Sequence, residues 1–256
     1  SSSNESGSQI AIVGMATVMP SAGNLEDYWR NLVAGVDAIT DVPANRWDGE
    51  FYDPPQAHRP DRLYCRRGGF IDDFATFEPL AYGIMPLSIA EIEPDQLIAL
   101  KVAAAAIDDA GGMQRLPDSD RVGVILGRGG ILSPAQARFA QRVRMPSQVV
   151  QILRELLPDL DPSRLELVRD KIDETLGAYP PESALGLVPN LPASRIANRL
   201  NLPCQAYTLD AARAPSPLSV GQDTLAPNAG ADATAVLRRH HQRQALARVA
   251  RRAHAG

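Results

Sequence analysis

The sequence predicts an α/β protein, and three segments support that fold class. Two continuous apolar runs, Gln9 to Met15 and Arg121 to Leu126, have the composition of strands that are buried on both faces. Between them, Glu91 to Gly111 has apolar residues at helical spacing, with Pro94 in its first turn and glycines at its end. A strand, a helix and a second strand in this order are typical of an α/β sheet with a mostly parallel core.

A shorter helix is expected near the N-terminus. Asn24 is a preferred N-cap residue, Glu26 and Asp27 follow it in the first turn, and Gly35 ends the pattern. Its apolar residues recur at helical spacing, which predicts a buried stripe formed by Leu25, Tyr28, Trp29, Leu32 and Val33.

Residues 134–182 are predicted to form a helical insertion. Apolar residues recur at helical spacing before and after Pro158, and Pro146, Pro158 and Pro162 are expected to break the helices. The insertion therefore interrupts the α/β pattern without adding a strand to it.

Composition limits the class of protein. No run of eighteen apolar residues occurs, and residues 1–8 are polar without a basic and then apolar signal pattern, so we expect a cytoplasmic protein that begins with a disordered linker and does not bind membranes. Cys65 and Cys204 are too few and too far apart to indicate disulfides or a metal site. The motif Gly127 to Gly130 lacks the spacing of nucleotide-binding glycine loops.

The last part of the chain has a different composition. Residues 213–256 contain seven Arg and two Asp, and they lack Phe, Trp, Tyr, Ile, Lys and Glu. A folded core seldom continues through a segment of this kind. We therefore predict that 213–256 is an atypical Arg/Ala-rich tail that is disordered or frameshifted. A genuine basic tail is the alternative, with Ala245 to Arg252 as a short cationic helix for a membrane or RNA.

The stretch just before this tail indicates the function. A helix is predicted from Ala193 to Leu200, a tight turn from Asn201 to Gln205, and a short strand from Ala206 to Leu209. The small residues Ala211 and Ala212 then allow a strand to turn sharply into a helix. Many acyl-transfer enzymes place a nucleophile at such a corner, because the helix N-terminus favours a thiolate or an oxyanion.

The segments SRIANRLNL and YTLDAA resemble the β-ketoacyl synthase family, the condensing enzymes of fatty-acid and polyketide synthases. The segment Leu63 to Ile84, with its Arg-Gly-Gly-Phe, resembles the same family, in the style of polyketide and polyunsaturated fatty-acid synthases. The resemblance implies the thiolase-like condensing-enzyme fold, N-terminal half only. Residues 9–212 then form the β-ketoacyl synthase N-terminal domain.

In this family the corner carries a nucleophilic Cys, and the position that matches it here is Arg213. The resemblance implies two catalytic His in glycine-rich motifs as well, and neither motif is present. His240, His241 and His254 lie among Arg and Ala, and His58 stands alone in a loop, so none of them inherits a role. We therefore expect no intact catalytic residue, and whether the chain is an enzyme stays open.

Other candidate residues are weaker. Cys204 could replace the nucleophile, but it lies nine residues before the corner, where the family usually has Gly. Arg66 and Arg67 could attract a phosphate, although adjacent arginines are more often a solvated surface. The pair His240 and His241 lacks a third ligand for a metal.

The resemblance also implies substrates and partners. Family members take acyl chains from the phosphopantetheine arm of an acyl carrier protein and bind no cofactor of their own. They form homodimers through the strand before the nucleophile, here Ala206 to Leu209. No nucleic acid is expected as a partner.

Two functional hypotheses remain. The first is a truncated ketosynthase domain for the decarboxylative Claisen condensation of acyl and malonyl thioesters, inactive as written. The second is a non-catalytic partner of the chain-length-factor type, which dimerises with an active synthase. Sequencing the gene across codon 213 distinguishes a frameshifted tail from a genuine one.

Overall fold

The computed structural model describes residues 10–47, 49–116, 122–129, 133–203, 205–210, 233–240 and 244–252. In the last two ranges it describes the backbone. The predicted linker at 1–8 lies outside these ranges.

The chain order of helices and strands follows the predicted α/β pattern. Six helices and seven strands lie in the described ranges, together with short 3-10 turns: β1 Ile10–Val18, α1 Leu25–Val33, β2 Thr40–Asp41, β3 Arg67–Gly68, α2 Pro94–Asp109, β4 Val122–Gly127, α3 Pro134–Leu156, α4 Pro162–Leu176, α5 Pro181–Leu185, α6 Leu191–Arg199, β5 Ala206–Leu209, β6 Ala233–His240 and β7 Gln244–Arg252.

Five of these strands form one mixed sheet in the order β1-β7-β6-β4-β5. The strand β4 is parallel to β5 and to β6, whereas β7 is antiparallel to both of its neighbours. The prediction of a mostly parallel core therefore holds only for the half around β4. The reason is the short connection between β6 and β7, since only antiparallel neighbours can be joined by a few residues.

The core of the fold is α2, which is packed between the sheet and α6. Its buried residues lie on most of its circumference and include Leu100, Val102, Ala103, Ala106 and Ile107. The helix begins at Pro94, and Gly111 and Gly112 end it with positive φ angles of 99° and 86°. The predicted helix is thus confirmed, and its alanines allow close packing against two layers.

The strand β4 is confirmed as a fully buried strand, but β1 is not buried on both faces as predicted. Ile12, Val13 and Met15 are exposed. The reason is position, because β1 lies at an edge of the described sheet, where β7 is its one neighbouring strand. A bulge between Ile12 and Gly14 shifts its register.

The helix α1 begins as predicted, since the Asn24 side chain accepts a hydrogen bond of 2.8 Å from the Asp27 N–H. Its predicted buried stripe is wrong. No residue of α1 is buried, and Trp29, Leu32 and Val33 are exposed. The helix packs on the edge strand β1, so most of its apolar face extends past the sheet.

The insertion is helical, as expected, but Pro146 does not break a helix. It lies inside α3 and is buried. A proline in a helix removes one backbone hydrogen bond, and burial of the ring offsets part of that loss. The helices α3 and α4 pack against each other, with Val150 and Leu165 buried, and together they are called the insertion hairpin below.

The expectation of a disordered tail differs from the structure over β6 and β7. Both strands find backbone partners, because β6 pairs with β4 and β7 pairs with β1. The Thr and Val residues of Ala233 to Leu237 are suited to a strand. The rest of 213–256 lies outside the described ranges, and the change of reading frame stays a hypothesis.

Replacing Gly14 by Ala is expected to destabilise the protein, because the new Cβ would lie 2.3 Å from the Ala106 carbonyl oxygen in α2. Overpacking of this kind typically costs about 1–3 kcal/mol. Urea unfolding measures the loss. The matched control is Gly123→Ala in β4, where the nearest atom, the Gln205 carbonyl oxygen, would lie at 3.4 Å. Equal losses in both variants would contradict the prediction.

Candidate functional site

The candidate site is the end of β5, and the predicted helix, turn and strand leading to it are present. Ile196 and Ala197 of α6 are buried. The turn uses Asn201 at a positive φ of 53° and a hydrogen bond of 2.7 Å from the Leu202 N–H to the Ala197 carbonyl oxygen. Leu202 is buried, so the turn fixes where β5 begins.

The strand β5 is held along one side by a parallel ladder to β4. The Val124 N–H donates to the Gln205 carbonyl oxygen at 2.8 Å, and the Arg128 N–H donates to the Leu209 carbonyl oxygen at 2.9 Å. These two bonds fix both ends of β5. Leu209 therefore lies at the carboxyl end of two parallel strands, where ligands of α/β proteins commonly bind.

An ion pair with little solvent exposure joins this end of the sheet to the first turn of α2. Arg128 Nε lies 3.0 Å from Asp95 Oδ2, and the two side chains are only 14% and 5% exposed. Asp95 belongs to the first turn of α2, whereas Arg128 directly follows β4. The start of the core helix and the end of β5 are thus connected through one arginine.

A second buried carboxylate lies beside this pair. Glu93 is 1% exposed, and Arg138 of α3 donates to its Oε1 at 3.2 Å. Burial raises the pKa of Glu93 above its ordinary value of 4.5, and the negative charge of Asp95 adds to the increase. Arg138, the Ala135 N–H and Arg128 act in the opposite direction. Glu93 therefore joins α2 to the first turn of the insertion hairpin.

Two arginines of α6 make hydrogen bonds to residues outside the helix. Arg195 Nε donates to Gln96 Oε1 of α2 at 2.8 Å, and burial lowers the pKa of Arg195. Arg199 donates to the Gly83 carbonyl oxygen at 3.0 Å. These contacts orient α6 and, through the turn, β5.

The sequence did not reveal the cluster of Glu93, Asp95, Arg128 and Arg138. The sequence places Pro94 in the first turn of the helix, which is correct but does not show the roles of the acidic residues beside it. Their pairing with Arg128 and Arg138 depends on packing across 33 to 45 positions, which no local pattern encodes. The only available signal was the position of Arg128 directly after a buried strand.

The predicted site residues are only partly described. Arg213, Cys204, His241 and His254 lie outside the described ranges, and His240 lies in β6, of which the backbone is described. His58 is exposed. In the part of the chain that the structure describes, no three His, Cys, Asp or Glu residues are placed to hold a metal ion. The assignment of Arg213 to the nucleophile position stays a prediction.

The contacts of Arg66 and Arg67 support the interpretation that these arginines belong to a solvated surface. Arg66 lies 3.5 Å from an Asp41 oxygen and stacks over the Tyr52 ring, and Arg67 lies 3.5 Å from an Asp37 oxygen. Each positive charge is shared with an exposed carboxylate, which weakens attraction for a phosphate. Cys65 beside them is exposed.

No helix in the described ranges combines the length and the apolar composition that a bilayer crossing needs.

The buried α2 and the parallel pair β4 and β5 define a condensing-enzyme domain of the thiolase-like class. The chain belongs to the β-ketoacyl synthase family, because the model of the β-ketoacyl synthase N-terminal domain matches residues 7–225.

Proteins with similar sequences include polyketide synthases and a polyunsaturated fatty acid synthase. Polyketide synthase PksN of Bacillus subtilis (strain 168) is 40% identical over 120 residues, which are 47% of this chain and 2% of that protein. A polyunsaturated fatty acid synthase from Thraustochytrium sp. (strain ATCC 26185 / S-3) is 28% identical over 218 residues, which are 84% of this chain and 8% of that protein. The chain thus spans a small part of each.

Solved structures share the fold. The ketosynthase from module 6 of the bacillaene synthase from Bacillus subtilis 168 superposes with a TM-score of 0.64 at 23% identity, over 95% of this chain and 40% of that one. A PfaC ketosynthase–chain length factor superposes with a TM-score of 0.75 at 16% identity, over 96% of this chain and 29% of that one. The fold is therefore the N-terminal part of a ketosynthase domain.

Glu93→Gln is expected to flatten the pH dependence of stability. Because the pKa of Glu93 is higher in the folded chain, its contribution to the free energy of unfolding is complete below pH 4.5 and is lost as the pH rises through the raised pKa. Gln does not titrate, so the variant lacks this loss. Urea unfolding at several pH values tests it, with the exposed Glu166→Gln of α4 as a control for the substitution. A variant with the slope of the parent chain would refute the prediction.

Arg128→Met is expected to destabilise the chain by about 3–5 kcal/mol, because it leaves the buried charge of Asp95 without this arginine. Adding Asp95→Asn removes that charge and is expected to restore part of the loss. Thermal and urea unfolding measure both. Arg66→Met, which breaks an exposed pair, is the control and should cost less than about 1 kcal/mol. A double variant no more stable than Arg128→Met argues against the ion pair as the cause.

Proposed function

We propose that this chain is the N-terminal half of a ketosynthase domain from a polyketide or polyunsaturated fatty-acid synthase, and that it cannot accept an acyl chain as written. The observation that carries the proposal is the position of Arg213, four residues after the end of β5. Family membership implies a nucleophilic Cys at that place.

The chemistry of condensation explains why Arg213 matters. The reaction needs a thiolate to take the acyl group, backbone N–H groups to hold the developing oxyanion, and basic side chains to assist loss of CO₂. A guanidinium stays protonated and has no free lone pair for attack on a thioester. A fixed cation at a helix N-terminus also opposes the helix dipole by roughly 0.3–1 kcal/mol.

The environment before the corner supports the same proposal. The strand β5 is anchored at Gln205 and at Leu209, and Arg128 and Asp95 hold its end against the core helix. A nucleophile needs this kind of rigid support on the protein scaffold. The scaffold for the reaction is thus retained, whereas the reacting group is replaced.

The proposed substrates and partners follow from the family. We infer an acyl group carried on the phosphopantetheine arm of an acyl carrier protein, a cytoplasmic setting, and a homodimer through Ala206 to Leu209. No cofactor and no nucleic acid take part in this proposal.

The second candidate is a non-catalytic partner of the chain-length-factor type. The fold similarity to a ketosynthase–chain length factor structure is the observation that favours it. A pull-down with a complete synthase separates the candidates, because a partner would pair in a stable one-to-one ratio. Binding that disappears when the exposed apolar residues of α1 are replaced by polar ones would instead indicate nonspecific adhesion.

The purified chain is expected to form no specific acyl-enzyme. Incubation with a fatty-acyl pantetheine thioester, followed by intact mass spectrometry and peptide mapping, measures acylation. Cys65 is exposed and serves as the internal standard for nonspecific transfer. The Cys65→Ser/Cys204→Ser variant is expected to carry no acyl group.

Acylation of Cys204 much faster than of Cys65 would overturn the proposal and assign the nucleophile to Cys204. Release of a condensed product from malonyl and acyl thioesters would overturn it as well.

A further inference from the structure

Two arginines on one side of α6 are held by neutral groups. Arg195 Nε donates to Gln96 Oε1 at 2.8 Å, and Arg199 Nη1 donates to the Gly83 carbonyl oxygen at 3.0 Å. Side chains one turn apart in a helix are neighbours on its surface. The two guanidinium groups are close enough for the positive charge of Arg199 to lower the pKa of Arg195. This side of α6 therefore carries two neighbouring positive charges.

No carboxylate in the described ranges neutralises this pair. Burial is the main cause of the lowered pKa of Arg195, and the charge of Arg199 adds to it, whereas a nearby carboxylate would raise that pKa. By contrast, Arg128 and Arg138 each contact a carboxylate, at 3.0 and 3.2 Å. A partly buried charge without a counter-charge is costly. Binding of an anion beside Arg195 is therefore expected to stabilise the chain.

The unused donors of Arg195 have the geometry that an oxyanion needs. Among the described residues its Nε alone has an acceptor, so both Nη groups keep their N–H donors, and solvent reaches them. Gln96 is 1% exposed and fixes the Nε end, so the guanidinium is oriented before a ligand arrives. Arginine binds phosphate oxygens through two parallel N–H bonds.

We propose that Arg195 and Arg199 form a binding site for a phosphate-type dianion, with both Nη groups of Arg195 as the bidentate arm and Arg199 as the second positive charge. Two positive charges balance a dianion better than a single carboxylate. Arg66 and Arg67 do not form such a site, because each shares its charge with an exposed carboxylate. Because α6 leads through its turn into β5, a bound anion also stabilises the element that precedes that strand.

The test measures the binding of inorganic phosphate to the full chain at constant ionic strength. Phosphorus NMR gives the affinity, and the midpoint of thermal unfolding gives the linked gain in stability. The parent chain is expected to bind phosphate and to unfold at a higher temperature as the phosphate concentration rises. Arg195→Met is expected to weaken binding by at least about tenfold, because it removes the bidentate bonds. Acetate at the same ionic strength is expected to give no gain.

Matched variants make the result specific. Arg199→Met changes an exposed side chain and leaves the bond between Arg195 and Gln96 in place, so it provides the test if Arg195→Met does not fold. It is expected to weaken binding by about threefold. Arg169→Met removes the same charge from the exposed surface of α4 and is expected to bind phosphate like the parent chain.

Competition with methyl phosphate identifies the source of the anion. Displacement of inorganic phosphate supports a site for the phosphate monoester of a larger molecule. Retention of inorganic phosphate supports a site for the free ion.

The inference is overturned if the parent chain binds no phosphate at millimolar concentrations. It is also overturned if Arg169→Met weakens binding as much as Arg195→Met, or if acetate gives the same thermal gain, since the effect is then general attraction to a positive surface. The inference does not rest on the proposed function, and none of these measurements involves a thiol or a thioester. Its failure and the failure of the proposed function are therefore read separately.

Discussion

The close packing of α2 between the sheet and α6 is the constraint on which the other described features depend. Gly14 brings β1 against the backbone of α2, and the alanines of α2 allow the approach from the other side. Because a helix buried on most of its circumference cannot shift without opening a cavity, its first turn is a fixed point. The carboxylates next to Pro94 hold the end of β4 and the start of α3 from that point.

The charged pairs of Asp95 and Glu93 fix the positions of the neighbouring elements more than they add to the free energy of unfolding. Removing charges such as those of Asp95 and Arg128 from water costs nearly as much as their attraction returns. Their value lies in geometry, since the contact between Arg128 and Asp95 fixes the end of β4 relative to the first turn of α2. Arg128 also donates its backbone N–H to Leu209, so the same residue orients the end of β5. The side chain and the backbone of Arg128 thus hold the end of β5 together.

Local patterns predicted the features that depend on neighbours in sequence. The α2 boundaries, the buried β4, the Asn24 cap and the order of α6, turn and β5 all follow from periodicity and capping residues. The failures concern the environment of a segment. The composition of β1 is that of a central strand, yet it lies at an edge of the described sheet. Most of the apolar stripe of α1 extends past that edge and is exposed. The hydrogen bonds of Asn190 to Ala206 and Thr208 were not predicted, because these partners lie 16 and 18 residues away, in β5.

The insertion hairpin has a consequence for how this domain can change over evolutionary time. Its helices pack mainly on each other, and its base is fixed where Glu93 meets the first turn of α3 and where Arg142 donates to the Leu176 carbonyl oxygen at 2.9 Å. Whole turns can be gained or lost at its tip while both ends keep their places, since closing a longer loop costs little. Length variation at this position therefore leaves the sheet undisturbed, and new surfaces can arise there independently of the chemistry below.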